Sequence, residues 1–274
     1  MGTSTHTSYY DSFVLPFLDA AATDPDAFFP GGLPRVGDLG GAYKMKGGAI
    51  CTLTRELDRA NLILDEWRKM PICADRALVD THATPFLYGK KPDLAVVCCE
   101  TAPLDKDGNM TASSFCLLAP IEWKLEFSPS QDGEGQVVEY ANLTNAAQPY
   151  REFTVCVWHN GYNVKFYRVY RSWRRDDGTY KTRVQYTAVL PVLGQGIGAR
   201  LIARLLVAPM EDLGVVRTLV TVNGQSCRVG RVVGCGSTAT VFELVDELSG
   251  VSVGAVFKLV RWGNAEREIE VLRV

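Results

Sequence analysis

The chain has 274 residues, of which 47% are hydrophobic, enough to bury one large core or two smaller ones. Lys plus Arg (29) nearly balance Asp plus Glu (31), for a formal net charge of −2, so bulk electrostatics do not pull it onto nucleic acid and any such binding must be local. No apolar stretch reaches the roughly 18 to 20 residues of a membrane span, and the start, MGTSTHTSYYDSF, lacks the basic and apolar regions of an export signal.

Residues 1–45 are rich in small, polar, Gly and Pro residues and read as an irregular N-terminal arm that packs on the body without forming a domain. From Leu53 to Met70, apolar residues Leu57, Ala60, Leu64 and Trp67 recur three or four apart, the period of an amphipathic helix. Leu94 to Cys99 is a short β-branched run after Pro92 and reads as a buried strand. A second strand is predicted over about Phe115 to Phe127, with Pro120 marking a bulge or an edge. Gln136 to Gln148 is predicted helical, and Phe153 to Tyr170 reads as a hairpin turning at Asn160-Gly161. The eight cysteines form no CxxC pair and sit mostly in apolar runs, as free thiols in a reducing intracellular compartment do.

The chemistry concentrates in Lys91-Pro92-Asp93 and, 29 residues later, Glu122-Trp123-Lys124. Side chains alternate along a strand, so Glu122 and Lys124 project from one face while Trp123 packs on the other. If the strand after Asp93 pairs beside this one, two carboxylates and an ammonium converge as hard oxygen ligands for Mg2+ or Mn2+. Asp93 and Glu122 would hold the metal, and Lys124 would orient or help deprotonate a water attacking a phosphodiester. The same residues also fit a solvated salt-bridge ladder. Glu66 offers a further carboxylate, or simply a charged helix face.

Lys165, Arg168, Arg171, Arg174 and Arg175, interleaved with Tyr167, Tyr170 and Trp173, form a basic stretch fit to grip phosphates and stack bases. An edge hairpin whose charges discourage edge pairing fits it equally. GQGIGARLIARLLVAP reads as a short helix within a linker region over 186–226.

KPDLAVV, IEWK, QVVEY and AAQPYREFTVCVWHNGYNVKFYRV, in this order, resemble the nuclease-like region that precedes the kinase domain in fungal-specific protein kinases and in Crinkler-type effectors. The resemblance implies a restriction-endonuclease-like (PD-(D/E)xK) α/β core with a mixed central sheet over 46–185. In it Asp93, Glu122 and Lys124 would be the active-site triad, with Gln148 a supporting catalytic residue and Arg151 a nucleic-acid contact. DNA is the expected substrate. Further on, Val233-Gly234-Cys235-Gly236-Ser237-Thr238-Ala239-Thr240-Val241 resembles a kinase glycine-rich loop, Ala255-Val256-Phe257-Lys258 the strand with the phosphate-pairing lysine, and Glu266 its helix partner. Residues 227–274 would thus be a small β-rich partial protein-kinase N-lobe. The chain stops before any catalytic-loop aspartate or DFG-type magnesium ligand, so ATP is expected only with a complete kinase domain.

Three functions follow: a magnesium-dependent endonuclease, a silent nuclease-fold regulator of a fungal-type kinase, or a fragment of an ATP-binding serine/threonine kinase. The expected partners are nucleic acid and a remaining kinase lobe or another protein, without a membrane. The expected place is the cytoplasm or nucleus, or a host-cell nucleus if the chain is an effector.

Overall fold

The computed structural model describes residues 9–12, 14–30, 32–33, 65, 67–124, 131–148, 151–171, 173–174, 180–181, 183–192, 196–215, 219–235, 239–260 and 271–273. The chain forms two compact units, Met1–Val215 and Val216–Val274. Of the predicted first helix, residues 65, 67 and 68 are helical, while 53–64 and Glu66 lie outside the described residues.

Among the described residues of the first unit, seven strands form one mixed sheet. Strands β1 (Arg76–Asp80), β2 (Leu94–Cys98) and β3 (Leu117–Trp123) make an antiparallel meander. Helix α2 (Gln131–Ala147) then crosses over to β4 (Phe153–His159), which runs parallel to β3, since parallel neighbours need a crossover longer than a turn. Strand β5 (Asn163–Tyr170) returns antiparallel to β4 and is covered on its other side by β8 (Val184–Tyr186) and β9 (Leu190–Pro191). The short β6 (Trp173–Arg174) and β7 (Tyr180–Lys181) pair with each other.

Burial of β3 and β4 at every position explains why their sequences are apolar without clean alternation. On one face α2 packs Val137, Val138 and Ala141 against Cys156, Trp158, Tyr167 and Val169. On the other, helix α3 (Ile197–Val207) lays Leu201, Ile202, Leu205 and Leu206 on Ile121, Val155, Val157 and Phe166. The predicted linker over 186–226 is therefore corrected: residues 186–215 complete the first unit, because α3 carries an apolar face that must be buried. Among the described residues of the N-terminal arm, the short helix α1 (Pro25–Phe28) and Phe29 enter the same core.

Local details refine the sequence reading. The irregularity expected near Pro120 is a register shift between β2 and β3, at Val96/Val97. Helix α2 begins before Gln136, running through two glycines that propensity alone disfavours, because its first turns are held by tertiary contacts. The β4–β5 hairpin turns at Gly161-Tyr162, closed by Asn160 N–H donating to Asn163 O at 3.2 Å. Among the described residues no helix is long and apolar enough to cross a membrane.

The second unit is an antiparallel sheet of β10 (Leu219–Val222), β11 (Gln225–Cys235), β12 (Ala239–Asp246), β13 (Ser252–Val260) and β14 (Val271–Arg273), paired in chain order. Cys227, Leu244 and Ala255 form its core.

Candidate active site

On β3, Ile121 and Trp123 face the α3 layer, and on β2 Leu94 and Val96 do the same. Alternation therefore turns Glu122 and Asp93 to the opposite, α2 face. Leu94 pairs with Ile121, which sets Asp93 beside Glu122 one step along the ladder. The Asp93 carboxylate Oδ2 accepts the backbone N–H of Trp123 at 2.8 Å. Lys124 continues the strand, its own amide donating to His159 O at 3.0 Å, and its Nζ reaches Glu122 Oε1 at 2.7 Å. The Lys124 side chain is 36% exposed and that of Glu122 3%, so the trio spans from solvent to interior. The three residues expected to converge are brought together.

Glu122 Oε2 is buried without a hydrogen-bond partner. Burial first, and then the neighbouring Asp93 charge, push the Glu122 carboxyl up to about 8, and the Lys124 ammonium only partly offsets this. The short ion pair and the raised carboxyl are compatible, since Lys124 satisfies one oxygen and leaves the other dry. The site thus holds a proton at neutral pH, or accepts a cation in its place.

Two further residues complete the α2 side. Gln136 and Tyr140 lie one helical turn apart, so both reach the same spot. Gln136 Nε2 donates to Tyr140 Oη at 2.6 Å, and Tyr140 Oη donates to Lys91 O at 3.4 Å. Burial and then the Glu122 charge raise the Tyr140 hydroxyl, keeping it a neutral donor. The sequence reading passed over this pair, whose signal was the i, i+4 spacing in QVVEY. His159, on the parallel neighbour, is buried between Trp67 and Trp123, with ring centroids 4.9 and 5.6 Å away. Its Nδ1 accepts the Gly161 amide at 2.7 Å, and burial lowers its pKa to about 3, so it is neutral with the proton on Nε2.

The chemistry of the donors fits a hard divalent ion. Asp93 and Glu122 supply carboxylate oxygens, and the orphaned Glu122 Oε2 is the kind of buried acceptor a cation satisfies. Among the described residues no group of three or more His, Cys, Asp or Glu is placed to hold a metal. An ion here would take its other ligands from water, backbone carbonyls and substrate oxygens, as magnesium commonly does.

Other predicted site residues go elsewhere. Gln148 donates to Ser114 O at 2.9 Å and Leu117 O at 2.8 Å, at the start of β3, about 16 Å along the strand from Glu122. Arg151 is 2% exposed. Its guanidinium donates to Leu117 O, Leu118 O, Leu213 O and Thr154 Oγ1, so it braces the fold and is closed to phosphate. Both expected roles are corrected, because buried carbonyls claim these donors.

The basic stretch does not form one surface. Lys165 turns to the α2 face, paired with Glu134 and lying over the Tyr167 and Tyr186 rings. Arg168 turns to the opposite face, bonded to Phe28 O and stacked on Phe28 and Phe153. A strand flanked on both sides is neither a phosphate groove nor an edge, which corrects both readings of Lys165 and Arg168. Arg171 is half-buried, and desolvation lowers its pKa from the usual arginine value. Arg174 lies on β6, and Arg175 falls outside the described residues.

In the second unit, Gly234 and Lys258 both stand opposite Val241, from β11 and β13. Gly236 and Glu266 lie outside the described residues. No protein-family model matches the chain, and neither does any curated protein or solved structure.

Proposed function

We propose that the first unit is a metal-dependent phosphodiesterase of the PD-(D/E)xK type, acting on nucleic acid and on DNA above all. The observation that carries this reading is the meeting of Asp93, Glu122 and Lys124 at adjoining strands, with one Glu122 oxygen buried and unsatisfied. The mixed sheet, with its antiparallel meander and parallel fourth strand, is consistent with the restriction-endonuclease-like core. Bound Mg2+ or Mn2+ would lower the pKa of a water and neutralise charge on the scissile phosphate. Asp93, oriented by the Trp123 amide, and Glu122 would hold it. Lys124, at the solvent end of the site, turns from Glu122 to position the attacking water or a phosphate oxygen. Tyr140 and Gln136, bonded to each other, line the α2 side of the site with neutral polar groups.

Magnesium- and manganese-dependent cleavage of plasmid DNA by the parent and by Glu122→Ala tests this. Loss of cleavage in the variant supports the reading; equal activity in both, or none in the parent with either metal, refutes it.

A second reading, a silent nuclease fold serving as a regulatory or interaction module, is favoured by one observation. The Lys124 ammonium closes on Glu122, and a carboxyl raised to about 8 is protonated at pH 7, a state that resists metal. The second unit is read as a kinase-like half-lobe on the row Gly234, Val241 and Lys258 across three strands, with ATP bound only in a complete kinase domain. Nucleotide binding by such a complete domain, lost in Lys258→Met, would support it. An intracellular place is supported by the free thiols of Cys73, Cys98, Cys99, Cys116, Cys156 and Cys227.

A further inference from the structure

Just before Asp93 the chain makes a two-residue hairpin turn. Leu87 and Lys90 pair as an antiparallel bridge, each donating its amide to the other's carbonyl, at 3.1 and 2.9 Å. The central residues Tyr88 and Gly89 carry φ of 50° and 82°, the left-handed pair a type I′ turn demands. Asn-Gly meets that demand with little strain, and the β10–β11 turn uses it, with Asn223 at φ 53° and Gly224 at φ 80°. An aromatic residue in this region is strained. Tyr88 is also 46% exposed, so it presents surface to solvent.

The turn is fastened at its base. Leu87 is fully buried, Lys90 pairs with Glu139 of α2 at 3.1 Å, and Lys91 O accepts the Tyr140 hydroxyl at 3.4 Å. Tyr140 in turn lies within the fields of Glu122 and Asp93, which ties the turn to the candidate site. Asp93 lies five positions on from Tyr88, at most about 17 Å of extended chain. Lys91 is exposed at the foot of the turn, and Lys124 is part-exposed on the strand next to Asp93's. An exposed aromatic ring on a fastened turn, with an exposed lysine three residues on in the same segment, combines a stacking face with a charge for the backbone, the pairing that single-stranded nucleic acid sites use.

We infer that Tyr88 is a base-stacking platform for single-stranded nucleic acid entering the Asp93–Glu122 site, with Lys91 on the adjoining phosphate. The inference rests on the phosphodiesterase reading and moves the expected nucleic-acid contact from the 165–175 stretch to residues 88–91.

The test is anisotropy of a fluorescein-labelled single-stranded oligothymidylate with the full chain in calcium. Tyr88→Ala weakens binding about ten-fold or more, and Tyr88→Phe keeps it within about two-fold. Lys91→Met reduces the salt slope by about 0.7. Tyr88→Asn separates a turn role from a binding role: it raises the thermal midpoint by about 2–4 °C through relief of strain, yet weakens binding as alanine does. Binding by Tyr88→Asn or Tyr88→Ala equal to the parent's overturns the inference, as does a parent that binds no oligonucleotide. Glu122→Ala is read by plasmid cleavage alone, which it is expected to lose. If it cleaves plasmid like the parent, the phosphodiesterase reading fails on its own, whatever Tyr88 does to binding.

Discussion

The backbone amide of Trp123 donates to Asp93 Oδ2 at 2.8 Å, so the aspartate of one motif is held by the middle residue of the other. That bond crosses the β2–β3 ladder and keeps the two carboxylates side by side, where the Asp93 charge raises the cost of ionising Glu122. The behaviour of the site with pH and metal follows from it.

Glu122 holds its proton to about 8 in the folded chain, against 4.5 for the ordinary group. Its contribution to the metal-free protein is fully present below about 4.5 and is lost as pH rises through 8, at up to about 1.4 kcal/mol per pH unit. Thermal midpoints between pH 5 and 8 are expected to fall less steeply in Glu122→Gln than in the parent. Identical slopes would contradict a buried, neutral carboxyl.

Magnesium binding at pH 7 should release about one proton, since the ion requires the carboxylate that the apo site keeps protonated. Calorimetry in two buffers of different ionisation enthalpy reads this directly. Release is expected to vanish well above pH 8, and a binding enthalpy independent of buffer at pH 7 would count against Glu122 as a ligand.

Lys165 and Glu134 have side chains only 12% and 7% exposed. Lys165→Met leaves a buried carboxylate without its cation and should cost about 3–5 kcal/mol by urea unfolding, while Lys165→Met with Glu134→Leu recovers much of that. The salt dependence of oligonucleotide binding is expected to stay unchanged in the double variant. A slope lowered by removing Lys165 would restore it as a phosphate contact.

Arg151→Met removes the guanidinium donors of Leu118 O and Leu213 O, while Leu117 O keeps its bond from Gln148. Unsatisfied buried carbonyls at this junction should cost about 3 kcal/mol or more in urea unfolding. A variant as stable as the parent but defective in nucleic-acid binding would reverse the structural assignment.

Gly214→Ala tests the closing turn of the first unit. Gly214 has φ 83°, and an added Cβ would stand 2.0 Å from Phe153 O, so backbone must move. A loss of about 2–4 kcal/mol is expected in the unfolding of the first unit. An unchanged midpoint would show that this turn relaxes freely.

Much of the first unit was legible residue by residue. The β-branched run after Pro92, the apolar run ending at Trp123 and the aromatic halves of the 153–170 hairpin are strands because period and side-chain shape are local properties. The pairing of Glu122 with Lys124 on one face follows from alternation alone. Which strands became neighbours, and which heads were buried, came only from packing. Lys165 and Arg168 look alike in the chain, yet a strand enclosed on both sides sends one to Glu134 and the other to Phe28 and Phe153. Arg151 reads as a surface cation until the carbonyls of β3 and the 210–213 turn close around it. The left-handed turn at Tyr88 was equally silent, since nothing in Tyr-Gly announces a positive φ that the surrounding bridge imposes. Local sequence determined which segments extend or coil; burial, a property of the whole first unit, decided which of its charged groups remain available for chemistry.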